Sequence, residues 1–208
     1  MANKKWLLKI LTLQFVFLSL IGGLLLYWNL VEPQPGQAMS AVGATTLWTG
    51  TAQPVALAEA EMRTRHIAHA WASDATLSRA EATWRPTGEW THIELPPTGW
   101  SFYYYSPAQS AVMTVAVQED KVLSTPATDV TNKPATLAGF PPTQDASVAW
   151  LTFHAAGGEH FLKEHPGATV QLRLQMADGR LTWFVLAFTP EARLQVRVDA
   201  ETGLLQQP

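Results

Sequence analysis

The chain has 208 residues, 47% of them hydrophobic, with 14 lysines and arginines against 17 aspartates and glutamates. A net charge of −3 without a basic cluster excludes a nucleic-acid binder, which needs such a patch to neutralise phosphates. Cysteine is absent, so disulfides, thiolate metal sites and cysteine nucleophiles are excluded together.

The first element is an apolar segment, residues 10–31, with no charged side chain over twenty-two positions. At about 1.5 Å per residue it spans roughly 33 Å, enough for a bilayer core of about 30 Å. Lysines precede it and Glu32 is the first charge after it, so the positive-inside bias places residues 1–9 in the cytoplasm. We predict a single-pass anchor in the cytoplasmic membrane with everything after it outside. The alternative is a cleaved signal peptide, whose apolar core is usually shorter, about 7–15 residues.

Residues 32–53 are rich in Pro, Gly and small side chains, which is typical of a tether. A helix is predicted over Pro54–Ala72, with its buried side formed by Val55, Ala58, Met62, His66 and Ala70. Strand-like runs follow at Thr76–Trp84, Trp90–Leu95, Trp100–Tyr105 and Val112–Val117. Helix and strands together define a first module, residues 54–123.

A Pro- and Thr-rich linker, residues 124–144, leads to a second helix that begins after Asp145, a good N-cap residue. Its buried side is predicted at Val148, Leu151 and Ala155. The Gly157-Gly158 pair is expected to break this helix, because each glycine costs roughly 1 kcal/mol against alanine in a helix interior.

Three alternating runs close the chain, at Thr169–Met176, Leu181–Phe188 and Arg193–Val198. Their period of two predicts antiparallel strands, and Asp178-Gly179 is a typical hairpin turn because both residues tolerate positive φ. The same order of helix and strands occurs in both halves, and Trp100 and Trp183 are 83 positions apart. We therefore predict an α+β protein whose anchor is followed by two tandem helix-plus-antiparallel-sheet modules, residues 54–123 and 145–208.

The second module resembles a PepSY domain over residues 145–205. The resemblance is carried by His165-Pro166-Gly167-Ala168, by a strand containing Trp183, and by the ending Val198-Asp199-Ala200-Glu201-Thr202-Gly203. The first module, residues 54–123, is similar but degenerate and lacks that ending. The resemblance implies a PepSY/cystatin-like fold and an extracytoplasmic module that binds or restrains envelope peptidases or other enzymes. It implies no catalytic residue.

The residues offer no catalytic, cofactor or metal site of their own, and we predict that the chain is not an enzyme. His66 and His69 are spaced for one metal but lack further ligands, whereas zinc takes three or four. His154, His160 and His165 fit no standard zinc pattern, and no serine-nucleophile motif occurs.

The most informative surface feature is the strand Leu181–Phe188, which is apolar on both faces. Only one face can meet the module's helix, and Trp183 is assigned to it by its bulk. The opposite face then carries the candidate partner residues, which are Phe184, Leu186, Phe188, Arg173 and Arg197. The alternatives are that this row packs on its counterpart in the first module or is covered by the linker.

Two functions follow as hypotheses. The first is a membrane-anchored, non-catalytic module that binds or regulates a protein partner outside the cytoplasmic membrane, such as an envelope peptidase. The second is an accessory single-pass subunit of a larger membrane complex, held mainly through residues 10–31.

Overall fold

The computed structural model describes residues 56–84, 99–118 and 121–206. The predicted anchor, the tether and the predicted strand Trp90–Leu95 lie outside these residues. The elements in chain order are α1 (Leu57–Trp71), β1 (Thr76–Trp84), β2 (Gly99–Ser106), β3 (Ala111–Gln118), β4 (Lys121–Ser124), β5 (Thr128–Asp129), α2 (Ala146–Phe153), an irregular turn (His154–Gly158), α3 (Glu159–Glu164), β6 (Thr169–Ala177), β7 (Arg180–Phe188) and β8 (Arg193–Asp199). No helix among the described residues is both long enough and apolar enough to cross a membrane.

All eight strands belong to one antiparallel sheet, in the order β4-β3-β2-β1-β6-β7-β8, with β5 also paired to β3. The α+β class and the antiparallel pairing are confirmed. Each half supplies a helix and then antiparallel strands, and β1 pairs with β6, so that the strands of the two halves join. The two halves therefore share one sheet and one continuous hydrophobic core.

The helices cover one face of this sheet, α1 over β2 and β3 and α2 over β7 and β8. The predicted buried side of α1 is wrong. The helix instead buries Leu57, Ala60, Glu61, Thr64 and Ala68, while Met62 is 64% exposed and His66 and Ala70 are exposed. The physical reason is that Glu61 and Thr64 find polar partners beneath the helix, which lets a partly polar stripe face the core.

The predicted buried side of α2 is wrong in the same way. Ala146, Ala149, Trp150 and Phe153 are buried, whereas Leu151 is 44% exposed and Ala155 is exposed. Almost every residue of this helix is apolar, so the aromatic side chains decide which stripe faces the sheet.

The boundaries of α2 follow the prediction. The Asp145 carboxylate accepts hydrogen bonds from the backbone N–H groups of Ser147 and Val148, which makes it the N-cap. The break falls at the two glycines, where Gly157 has φ +103°. A Cβ on Gly158 would lie 2.3 Å from the Phe153 ring, so glycine is required there for close packing.

The centre of the core is a pair of tryptophans, one from each half. Trp100 on β2 and Trp183 on β7 have ring centroids 6.2 Å apart, although β1 and β6 lie between their strands. They can meet because β1 places two small buried side chains, Ala80 and Ala82, between them. The Trp183 indole donates a hydrogen bond to the Gln144 carbonyl at 2.9 Å, so the second helix is tied to the sheet at its start.

Candidate partner surface

The face of the sheet opposite the helices carries the predicted partner residues. In the register of β6, β7 and β8, Arg173 pairs with Phe184 and Phe184 pairs with Arg197, so these side chains form one row across three strands. Leu186 and Phe188 continue along β7 on the same face. We call these five residues the Phe184 surface. Trp183, directly next in sequence, is fully buried on the helix side, as expected.

The Phe184 surface is apolar at its centre and partly open to solvent. Phe188 is 38% exposed, while Phe184 and Leu186 are half-buried. The Arg197 guanidinium lies 5.2 Å from the centroid of the Phe184 ring, within cation–π range. Arg197 also lies 3.8 Å from the exposed Asp178 carboxylate, and an ion pair so open to solvent contributes little to stability.

A charged cluster continues the row from Arg173 across the junction into β1. The Nε atoms of Arg173 and Arg79 each lie 3.5 Å from the same Glu81 oxygen, and Gln171 donates a 2.6 Å hydrogen bond to the other oxygen. The Arg79 guanidinium stacks 3.7 Å above the Tyr103 ring. We call Arg79, Glu81, Tyr103, Gln171 and Arg173 the Glu81 cluster.

Burial affects the electrostatics of this cluster. The side chains of Arg79 and Glu81 are each 14% exposed, and that of Arg173 is 27% exposed. Loss of solvent lowers the pKa of Arg173, and it raises the pKa of Tyr103. Sequence reasoning missed Arg79, Glu81 and Tyr103. The alternation in β1 could have assigned their face, but nothing in the sequence paired β1 with β6.

The Asp-Ala-Glu-Thr-Gly ending of the second half forms a turn that holds the C-terminus against the helix. The Asp199 carboxylate accepts hydrogen bonds from the backbone N–H groups of Thr202 and Glu201, which lowers the pKa of Asp199. Gly203, at φ +75°, accepts a hydrogen bond from the Thr152 hydroxyl on α2. In this chain the Asp-Ala-Glu-Thr-Gly ending, which is the most specific part of the PepSY resemblance, therefore stabilises the fold.

A second polar cluster lies beneath α1 around the buried carboxylate of Glu61. Glu61 is only 2% exposed; it accepts two hydrogen bonds from Arg65, at 2.9 and 2.5 Å, and one from the Tyr104 hydroxyl at 3.2 Å. The Thr64 and Tyr104 hydroxyls are 2.7 Å apart. Burial raises the pKa of Tyr104 beyond its ordinary range. This cluster fastens the first helix to β2.

The histidines are not brought together. His66 and His69 lie exposed on α1, and His160 pairs with Glu164 on the exposed side of α3. His154 packs edge-on against Trp150, at 4.4 Å between ring centroids, and burial lowers its pKa. In the part of the chain that the structure describes, no group of three or more His, Cys, Asp and Glu residues could hold a metal ion.

Comparison with known proteins leaves the family open. No family model matches the chain, and no curated protein does. Among solved structures, a candidate lipoprotein from Clostridium difficile 630 is similar at 11% sequence identity and a TM-score of 0.41, over 71% of this chain and 90% of that one. The resemblance to PepSY domains therefore stays a prediction.

Proposed function

We propose that this chain is a membrane-anchored, non-catalytic module that binds or regulates a protein partner outside the cytoplasmic membrane, such as an envelope peptidase or another envelope enzyme. The observation that carries the proposal is the Phe184 surface, an aromatic row framed by Arg173 and Arg197 on the sheet face that the helices leave uncovered. The resemblance to PepSY domains and the apolar segment 10–31 support the location.

The composition of this surface favours protein binding. Aromatic residues and arginine contribute a large share of the binding energy in protein interfaces, where a well-packed centre is surrounded by polar groups. Here Phe184, Leu186 and Phe188 form the centre, and arginine and glutamine side chains of β6 and β8 surround it. The helices α1 and α2 both contact the opposite face of the sheet.

The test is site-specific crosslinking in native membranes. A photoreactive residue replaces Phe184 or Phe188 in separate full-length variants, and matched variants carry it at Met62 or Leu151. These control positions are also exposed and apolar, at 64% and 44%, but lie on the helices. We expect one protein to be crosslinked from positions 184 and 188 and not from 62 and 151. Equal crosslinking from all four positions, or none from 184 and 188, would contradict the proposal.

The same crosslink separates this function from an accessory subunit held by its anchor. When residues 10–31 are exchanged for an unrelated membrane helix, binding through the sheet predicts that the crosslink from position 184 persists. If the crosslink is lost although the protein still reaches the membrane, the partner is held by the native helix instead.

A further inference from the structure

The Glu81 cluster holds more positive than negative charge. Two guanidinium groups, of Arg79 and Arg173, lie near a single carboxylate, and Gln171 occupies the other oxygen of that carboxylate. One positive charge is thus left without a matching negative charge inside the cluster. Because these side chains are mostly removed from solvent, water compensates that charge less than it would on an open surface.

The hydrogen-bonding capacity of the cluster is also incomplete. The Nε atoms of Arg79 and Arg173 are buried, and within the described residues neither has a hydrogen-bond partner of good geometry. A guanidinium presents five N–H donors in a fixed fork that suits a carboxylate. An arriving carboxylate would supply the missing negative charge at the exposed part of the Arg173 side chain, which is 27% open to solvent.

Positive charge also predominates on the wider sheet face. The whole chain is net negative, and on the helix side the exposed Glu59 and Glu159 are paired with Arg63 and Lys163. The opposite face of β1, β6, β7 and β8 carries five arginines against the two carboxylates of Glu81 and Asp199; the arginines are Arg79, Arg173, Arg180, Arg193 and Arg197. Such an arrangement steers an acidic partner to this face and disfavours a basic one.

We infer that the Phe184 surface and the Glu81 cluster together receive an acidic, apolar segment of the partner protein. A carboxylate of that segment pairs with Arg173 beside Arg79, and a neighbouring apolar side chain packs on Phe184 and Phe188. This inference rests on the proposed function and specifies the chemistry of the partner. An anionic membrane surface is disfavoured because β6, β7 and β8 contain no lysine and because Glu81 and Gln171 restrain the central arginine.

The probe is a fluorescently labelled peptide of alternating leucine and glutamate, capped at both ends, whose anisotropy is measured with the full chain in detergent micelles. Matched peptides replace glutamate with glutamine or with lysine. We expect the acidic peptide to bind at least about tenfold more tightly than the glutamine peptide, and the lysine peptide more weakly than either.

Two variants locate the contact. Arg173→Gln should weaken binding of the acidic peptide at least about tenfold, because a partly buried charge pair loses one member. Arg173→Lys keeps the charge but loses the fork, so it should weaken binding by less. Lys163→Gln makes the same change in net charge on the helix side, where Lys163 pairs with Glu159 at 2.5 Å, and should leave binding unchanged. Thermal melting of each variant checks that the fold persists.

Several results would overturn the inference. These are equal binding of the acidic and glutamine peptides, equal weakening by Arg173→Gln and Lys163→Gln, and binding to vesicles of anionic lipid in place of the peptide. If the crosslink from position 184 persists in Arg173→Gln while the acidic peptide fails to bind, the proposed function survives and this inference does not. If the crosslink to a partner is itself absent, both are wrong.

Discussion

Trp183 offers the most direct test of how the sheet divides core from surface. Its ring is fully buried against Trp100, and its indole N–H donates to the Gln144 carbonyl at the entrance to α2. Truncation of a buried aromatic residue costs about 3–5 kcal/mol, so we expect Trp183→Ala to lower the free energy of unfolding by about 4 kcal/mol. Trp183→Phe keeps most of the packing and loses the hydrogen bond, and it should cost about 1–2 kcal/mol.

Thermal denaturation followed by circular dichroism measures both effects. In a domain of this size about 1 kcal/mol shifts the Tm by roughly 2–4 °C, so Trp183→Ala should lower the Tm by about 8–16 °C and Trp183→Phe by a few degrees. The control is Phe188→Ser, on the same strand but on the opposite face and 38% exposed, which should cost less than about 1 kcal/mol. If Phe188→Ser destabilises the protein as much as Trp183→Ala, the assignment of the two faces is wrong.

Three further predictions concern the helix side. Gly158→Ala would place a Cβ 2.6 Å from the Phe153 carbonyl oxygen, and we expect a loss of about 1–3 kcal/mol in urea unfolding, whereas Gly167→Ala, which meets nothing within 4 Å, should be close to neutral. Tyr104→Phe removes a hydroxyl that donates to a buried carboxylate, so it should lower the free energy of unfolding by about 1–3 kcal/mol; an unchanged value would show that water replaces the hydroxyl. Because burial lowers the pKa of His154 in the folded state, the neutral ring stabilises the fold above the unfolded pKa of about 6.5, and this contribution is lost as the pH falls through the folded pKa. The Tm of the wild type should therefore fall more steeply below pH 6.5 than that of His154→Gln, and parallel curves would contradict this.

The second sheet half could be predicted because its signals are local and agree with one another. In β6 and β8 the apolar and polar residues alternate without a break, and a period of two leaves one choice of buried face. Asp178 and Gly179 do adopt positive φ, at 51° and 76°, as a tight hairpin requires. In β7 both faces are apolar, so the period of two does not show which face is buried. The bulk of Trp183 assigned the buried face there.

The helix faces could not be predicted by the same reasoning. On α1, alanines are spread around the helix, and the buried stripe includes Glu61 and Thr64, which a pattern of apolar residues assigns to solvent. Besides the local partner Arg65 of Glu61, the hydroxyl of Tyr104 lies within hydrogen-bond distance of both side chains, 40 residues from Thr64 and 43 from Glu61 along the chain. A long-range partner of this kind leaves no trace in a local period.

The junction between the halves changes what the first half contributes to the proposed surface. Its sequence lacks the Asp-Ala-x-Thr-Gly ending, which indicates a degenerate copy, but β1 still supplies the narrow alanine row that lets Trp100 reach Trp183 and still places Glu81 beside Arg173. If the second half were isolated, β6 would become an unpaired edge and Arg173 would lose its counter-charge. Residues 145–208 expressed alone should therefore aggregate or melt at a lower temperature than the full chain, as size-exclusion chromatography and calorimetry would reveal. An isolated half that is monomeric and equally stable would show that the two halves of the sheet fold independently, and the surface would then belong to the second half alone.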